Sequence, residues 1–441
     1  MADLQEQMAN ELASIVTRSR VLLNSPGNSL TAAHLYANPE SAKIDVVPVL
    51  NTRGRLEIST NSLNLGATST FQIPPGSFLA QCWLIASINV ARYVHATQGW
   101  LLDQIEQVTY QFSGNSSINN VQITGASHKS LVMAACKTKE KRDAILAAAG
   151  DYLNATAAAL TNQQAACPLF LPWSNPDVIG TFPYDTSTLA SNIIVEIKWK
   201  SPDTGAFMGE SGQTPNMPTA FNNLTLKAHQ SDIQGAAAFR VSTAMVADPA
   251  LNYAFPMLLT QTFSTFNNVT SGAEGTITLS ALPTGQLVGI LLTVTPSTWA
   301  GVSGNQNVVQ GVSAICSKLN LRYNGQDIIK YVYEKEKQLV DAIQSEGNGY
   351  YYSQQSMTSI SNGAAATYTG AVNVMNLMYD LEGCFNEKHF EHVPNYGGST
   401  LEFLYRIDTA GLSSTSCRFD FCYIFNAICN NENRVTDISV A

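Results

Sequence analysis

The chain has 441 residues, 45% of them hydrophobic and only 13% charged, with a formal net charge of −9. That length suits two domains of roughly 200 residues better than one core, and an acidic balance without a dense Lys/Arg run excludes gripping a nucleic-acid backbone as the primary role. The charged fraction is about half the usual quarter; Asn, Ser, Thr, Gln and Gly replace it, which fits either a surface widely covered by neighbouring subunits or an Asn/Thr-rich β protein.

The chain opens with a predicted amphipathic helix: Leu4, Met8, Leu12, Ile15 and Val16 share a stripe, Asp3 can cap it, and Arg18 and Arg20 lie near its far end. Asn24-Ser25-Pro26-Gly27-Asn28 breaks it. Such an arm must bury its stripe on its own domain, a neighbour or a membrane surface. The start Met1-Ala2-Asp3-Leu4-Gln5-Glu6 lacks the basic-then-apolar order of a signal peptide, and no run reaches about 18 apolar residues, so synthesis in the cytoplasm is expected. There the eight dispersed cysteines read as buried thiols. The Asn-X-Ser/Thr sites at Asn115, Asn154, Asn223 and Asn268 would carry no glycan.

Beyond the arm the dominant period is two. Strand-like runs centre on Phe71, Leu84 and Tyr110, then on Ile193 to Trp199, where Ile193, Val195, Ile197 and Trp199 share a face. Further runs centre on Ile277, Leu291 and Leu321, and a long one holds Cys417, Phe419, Phe421, Tyr423 and Phe425 on its apolar face. Gly, Pro, Asn and Ser clusters separate them, the pattern of antiparallel sandwiches. Helical signals are few: Lys137 to Lys141 leading into the alanine-rich Ala144 to Ala159, and Glu334 to Lys337 leading to Leu339, Val340 and Ile343. Ser201 to Gly235, rich in Pro and Gly, reads as a linker or long excursion.

Four signatures recur in the same order. Ala37-Asn38-Pro39 matches Ala247-Asp248-Pro249 at an offset of 210, and Ile73-Pro74-Pro75-Gly76 to Leu79 matches Leu282-Pro283-Thr284-Gly285 to Val288 at 209. Val108 to Gly114 matches Leu319 to Gly325 at 211, and Tyr184 with Ser187-Thr188-Leu189 matches Tyr396 with Ser399-Thr400-Leu401 at 212. Collinear matches at a nearly constant spacing near two hundred residues mark a duplicated domain, because solenoid units run only about 20 to 50 residues. The expected fold is all-β with a few helices: an N-terminal helical arm at 1–35, a first sandwich at 36–205, a linker or long loop at 206–240, a second sandwich at 241–430 and a tail at 431–441.

Chemistry-bearing motifs are sparse. There is no Gly-x-Ser-x-Gly elbow, phosphate-cradling loop or dinucleotide fingerprint. Cys384, Glu387, His389, Glu391 and His392 form the nearest metal-like cluster, but Pro394 follows in what reads as a loop, and a solvated loop is the preferred account. Cys417 and Cys422 fall on opposite strand faces, so packing is favoured over a thiol site for them and Cys429. His34, His95, His128 and His229 are scattered without carboxylate neighbours in sequence. Trp83, Trp100, Trp173 and Trp199 read as core or as a sugar-stacking platform, with core preferred. No catalytic residue, cofactor-binding residue or metal ligand is therefore assigned, no cofactor is expected, and the chain is not read as an enzyme.

The plan of two like sandwiches plus an N-terminal helix, over roughly residues 36 to 430, resembles the double jelly-roll major capsid proteins of tailless icosahedral DNA viruses, a family that includes adenovirus hexon and the coats of membrane-containing phages, virophages and large eukaryotic DNA viruses. Gly99-Trp100-Leu101-Leu102 through Gly114 to Ile118, the turn Asn324-Gly325-Gln326-Asp327-Ile328, Cys167 to Trp173 and the strand Ile193 to Trp199 resemble that family's strands and turns. The resemblance implies a structural protein whose subunits form pseudo-hexagonal homotrimers that tile an icosahedral virion shell. It implies contacts with neighbouring trimers and with minor capsid or penton proteins, an inner membrane reached through the N-terminal helix, and no specific nucleic-acid binding. Ser201 to Gly235 and Thr295 to Gly311 are long enough for external loops. The alternative is a double β-sandwich carbohydrate-binding or adhesin-like protein using Trp100 or Trp173; a β-rich enzyme or toxin is the third reading.

Overall fold

The computed structural model describes residues 50–74, 78–96, 98–111, 120–134, 139–155, 157–172, 184–185, 192–202, 206–209, 213–233, 253–270, 272–279, 287–296, 316–327, 333–334, 355–361, 364–370, 374–375, 401–407, 415–432 and 435–440. The first half contributes β1 (Leu50–Ser59), β2 (Thr68–Ile73), β3 (Phe78–Val90), β4 (Val94–Ala96), helix α1 (Trp100–Gln104), β5 (Ile105–Gln111), β6 (Asn120–Thr124), helices α2 (Gly125–Ala134) and α3 (Lys139–Ala148), β7 (Leu153–Asn154), β8 (Leu160–Pro168), β9 (Tyr184–Asp185), β10 (Ile193–Trp199), β11 (Phe207–Gly209) and β12 (Asn223–Ile233). The second half contributes β13 (Tyr253–Val269), β14 (Glu274–Leu279), β15 (Leu287–Pro296), β16 (Cys316–Tyr323), β17 (Gln326–Asp327), β18 (Tyr333–Glu334), β19 (Gln355–Ser361), β20 (Ala364–Gly370), β21 (Val374–Met375), β22 (Leu401–Ile407), β23 (Thr415–Glu432) and β24 (Val435–Val440).

One wiring occurs twice. In the first half the sheets run β1-β12-β3-β8 and β2-β10-β5-β6; in the second they run β13-β23-β15-β21 and β14-β22-β16-β17. Numbering these eight strands along each half gives first-eighth-third-sixth for one sheet and second-seventh-fourth-fifth for the other. All the pairings are antiparallel, so each half is an eight-stranded jelly roll. Two of the repeated signatures fall at matching places in this wiring: one precedes the third strand and one lies on the fourth. The one at Tyr184 and Tyr396 lies mostly outside the described residues: Tyr184 belongs to β9, Leu401 opens β22, and residues 187–189 and 396–400 are not described. The Ala37 and Ala247 pair lies outside the described residues, as do Gly76, Gly114 and Gly285.

Alternation builds each core. In β10 the odd residues Ile193, Val195, Ile197 and Trp199 are buried while Lys198 is exposed. Trp199 packs edge-on against Phe221, with ring centroids 4.7 Å apart, and its Nε1 donates to Ser69 Oγ at 2.8 Å. In the second roll Phe403, Tyr405, Phe419 and Phe421 interleave, with Phe403 edge-on to Phe421 at 5.3 Å and Tyr405 against Phe419 at 4.8 Å. Aromatic pairs add about 0.5–1.5 kcal/mol each beyond burial. Pro256 is tolerated because β13 is an edge strand and need not donate on both sides. Asn324 and Gly325, at φ 47° and 79°, form the two-residue turn between β16 and β17, where both positions need a left-handed backbone.

Several expectations are corrected. Residues 206–240 are not a linker throughout: β12 lies there, paired to both β1 and β3, so the first roll extends to Ile233. Leu224, Leu226 and Ala228 are its core face. The tail 431–441 carries the end of β23 and β24, which pair with each other. The alanine-rich helix stops at Ala148 rather than Ala159, because Gly150 takes φ +125° and passes so close to Trp100 that a Cβ would lie 2.1 Å from the indole nitrogen. The expected helix from Glu334 to Ile343 falls outside the described residues except at Glu334, which belongs to β18. The arm at 1–35 also lies outside them.

Candidate functional site

The site that the fold builds is the seam where one roll meets the other. Helix α2 follows β6 and opens on Gly125, a buried residue whose Cβ position would lie 1.8 Å from the carbonyl oxygen of Ile105; only glycine lets the helix leave the sheet so near β5. From there α2 packs back on β5 and forward on β15 and β23, and β6 packs on β13 and β23. Leu131 and Val132 fill the interior. Ser127 is fully buried and hydrogen-bonds Cys422 of the second roll, whose thiol burial pushes up to about 12.

Each roll carries a charge pair of its own near the seam. Lys129 of α2 donates to both Asp103 oxygens, at 2.8 and 3.0 Å. Arg418 Nε donates to Asp420 Oδ1 at 2.9 Å, and Ser264 Oγ donates to the same oxygen at 2.5 Å. Both pairs act on Lys200. Loss of solvent lowers its pKa, Asp103 and Asp420 pull it up, and Lys129 and Arg418 push it down. The backbone of Lys200 is pinned as well: its N–H donates to Gln104 O at 2.9 Å, and its carbonyl accepts from Gln104 Nε2 at 2.6 Å.

His128 anchors the other flank of α2. Its Nε2 accepts the Phe170 N–H at 3.1 Å, and the Tyr110 hydroxyl donates to the Phe170 carbonyl at 2.5 Å, so the segment after β8 is clamped on both backbone groups. Burial lowers the pKa of His128 from 6.5 to about 4. Because the unfolded chain binds this proton between those two values and the folded chain does not, stability is complete above pH 6.5 and falls as pH drops toward 4, by about 2.5 kcal/mol between pH 7 and 4.5. His128→Gln keeps an acceptor for Phe170 and removes the titration. Denaturation midpoints at the two pH values should therefore differ less in the variant; equal slopes would contradict this account of His128.

The residues weighed from sequence are dispersed by the fold. Trp100 and Trp199 are fully buried, which removes Trp100 from any stacking platform; Trp83 is half-buried, and Trp173 lies outside the described residues. His95 and His128 are buried apart from the half-buried His229, and His34 lies outside the described residues. The cluster Cys384 to His392 also lies outside them, and among the described residues no group of three or more His, Cys, Asp or Glu is arranged to hold a metal. Cys82, Cys167 and Cys422 are buried free thiols. No helix among the described residues is long and apolar enough to cross a membrane. Sequence reasoning missed α2 altogether. Ser127, His128, Leu131 and Val132 are all buried, so the helix has too little polar face to leave a stripe.

No protein-family model matches the chain, and no curated protein matches it in sequence. Solved structures do match. The capsid of the virus PBCV-1 aligns at a TM-score of 0.59 and 10% identity, covering 88% of this chain and 97% of that one. The mavirus major capsid protein aligns at 0.54 and 12%, covering 93% and 95%. The Faustovirus major capsid protein aligns at 0.52 and 8%, covering 96% and 98%. At such identities the likeness is one of fold: this chain has the double jelly roll of those coat proteins, along nearly their whole length.

Proposed function

We propose that this chain is a major capsid protein whose homotrimers, pseudo-hexagonal in outline, tile an icosahedral virion shell. The observation that carries the reading is the end-to-end likeness to coat proteins, both rolls and the join between them included. The seam supports it on physical grounds. Two like rolls meet head to tail, through different surfaces, and a heterologous contact of that kind generates a closed ring when its rotation closes. Three chains then supply six rolls. A charged fraction of 13% suits wide, partly wet contacts between neighbouring trimers. On this reading the chain acts by assembly rather than catalysis, with minor capsid or penton proteins at the vertices, and the helix of Leu4 to Val16 lies at the inner rim against a membrane or a minor protein.

Electron microscopy and glycan binding of the purified protein test the reading together. Shell-like particles or arrays of trimers are the expected result; a dispersed monomer that binds glycans would establish the adhesin-like alternative instead. Removing residues 1–23 should leave trimers intact and impair shell assembly, whereas complete unfolding would make the helix part of the core.

A further inference from the structure

The outward face of the second roll is covered at one end and open at the other. On β13, Phe263 packs inward on Phe421, so Thr260, Thr262, Ser264, Phe266 and Asn268 face outward. Exposure rises along that row: Thr260 is 2% exposed, Thr262 is half-buried, Ser264 and Asn268 are exposed, and Phe266 is 64% exposed. Neighbouring β23 sets Cys422 opposite Thr262, Asp420 opposite Ser264 and Arg418 opposite Phe266. Cys422 and Asp420 are buried, whereas the Arg418 side chain is 38% exposed. Because β6 of the first roll packs on β13 and β23, the cover of one domain ends on the face of the other. Sites for small molecules concentrate at such junctions between domains.

The open end combines a ring with a cation. Arg418 Nε donates to Asp420 Oδ1 at 2.9 Å, and among the described residues the guanidinium makes no other hydrogen bond. With Nε committed, the two Nη groups form an end-on fork of the kind that takes a carboxylate bidentately. Half-buried Lys200 of the first roll adds a positive charge that acts on the same pair and has no ion-pair partner of its own among the described residues. Around Phe266 the outward neighbours Ser264 and Asn268 are short and neutral. The Ser264 hydroxyl donates to Asp420 Oδ1 at 2.5 Å and keeps its lone pairs for an incoming hydroxyl. One phenyl ring is a small apolar area: a protein partner needs an apolar centre within roughly 800 Å² per side, whereas a single ring matches the face of a single pyranose.

We infer that this junction binds an acidic sugar, a pyranose bearing a carboxylate as uronic and sialic acids do, with its C–H face on Phe266 and its carboxylate on the Arg418 fork. Ser264 and Asn268 then meet ring hydroxyls, and Lys200 adds attraction for the negative charge. The stacking ring is thus Phe266 rather than Trp100 or Trp173. The inference goes beyond the coat-protein reading and does not rest on it.

Titration of the full-length protein with methyl glucuronide and with a methyl sialoside, followed by saturation-transfer difference NMR, tests it. At least one of the two should bind, and methyl glucoside, acetate and a short peptide of alternating glutamate and leucine should bind about 10-fold more weakly or not at all. Phe266→Ala and Arg418→Lys, checked for folding by circular dichroism, should each weaken binding about 10-fold, while Phe266→Tyr should retain it. Binding of neither acidic sugar, or equal binding by wild type and Phe266→Ala, would overturn the site. The glucoside, acetate or the peptide binding as tightly as the acidic sugars would overturn the ligand class. Each of these outcomes leaves trimers and shells untouched, so the coat reading is judged separately. A second measurement covers variants that fail to fold: a diazirine-bearing methyl glucuronide or sialoside, photolysed on wild type, should label peptides spanning 260–270 or 415–420, and labelling confined to other peptides would overturn the inference.

Discussion

Trp199→Ala is expected to lower the unfolding free energy of the first roll by about 4 kcal/mol, within the usual range for deleting a buried tryptophan. Trp199 is fully buried at the end of β10, packs edge-on to Phe221 and donates its indole N–H to Ser69. Its backbone N–H donates to Ala67 O at 3.0 Å, so the side chain fills a site that the surrounding backbone already defines and that cannot readily collapse. Trp199→Phe should recover more than half of the loss, since it restores most of the apolar volume without the bond to Ser69. Chemical denaturation measures both variants. A cost below about 1 kcal/mol for the alanine variant would mean that the site relaxes and that the core is not packed as described.

Gly125→Ala should have the next largest effect, about 3 kcal/mol, and should reach across the seam. The added methyl would stand 1.8 Å from Ile105 O and 2.6 Å from its carbonyl carbon, backbone atoms that cannot rotate away, so α2 must shift instead. That shift strains the Lys129–Asp103 pair, the His128 clamp on Phe170 and the Ser127 contact with Cys422. Thiol labelling followed by mass spectrometry reads the seam separately from global stability. Cys422 is fully buried, with its thiol held protonated, and should stay unlabelled in wild type and become labelled in the variant. An unchanged denaturation midpoint with Cys422 still protected would show that α2 does not hold the rolls together.

The architecture was legible wherever one face of an element is wet. Ile193 to Trp199 alternates cleanly, and the strand has those limits; Asn324-Gly325 announced a turn, and its two positive φ angles are that turn. Legibility failed where the surroundings differ. Leu224, Leu226 and Ala228 do alternate, but the Pro and Gly residues upstream made the whole stretch resemble a linker and hid the strand that completes the first roll. The seam left no periodic trace. Residues 419–423 are buried on both faces, and α2 buries Ser127 and His128 beside Leu131 and Val132, so neither a two-residue nor a 3.6-residue pattern can mark which surface meets the other roll. What the sequence did carry was the repeat, and the strand order does recur in the two halves even where the packing surfaces have diverged.

Native mass spectrometry of the full-length protein tests the central claim most directly. The chain weighs 47.5 kDa, and the account predicts a dominant species of three times that mass, with no stable dimer on the way to it as the solution is diluted. A protein that remains a single 47.5 kDa chain at every concentration would contradict it.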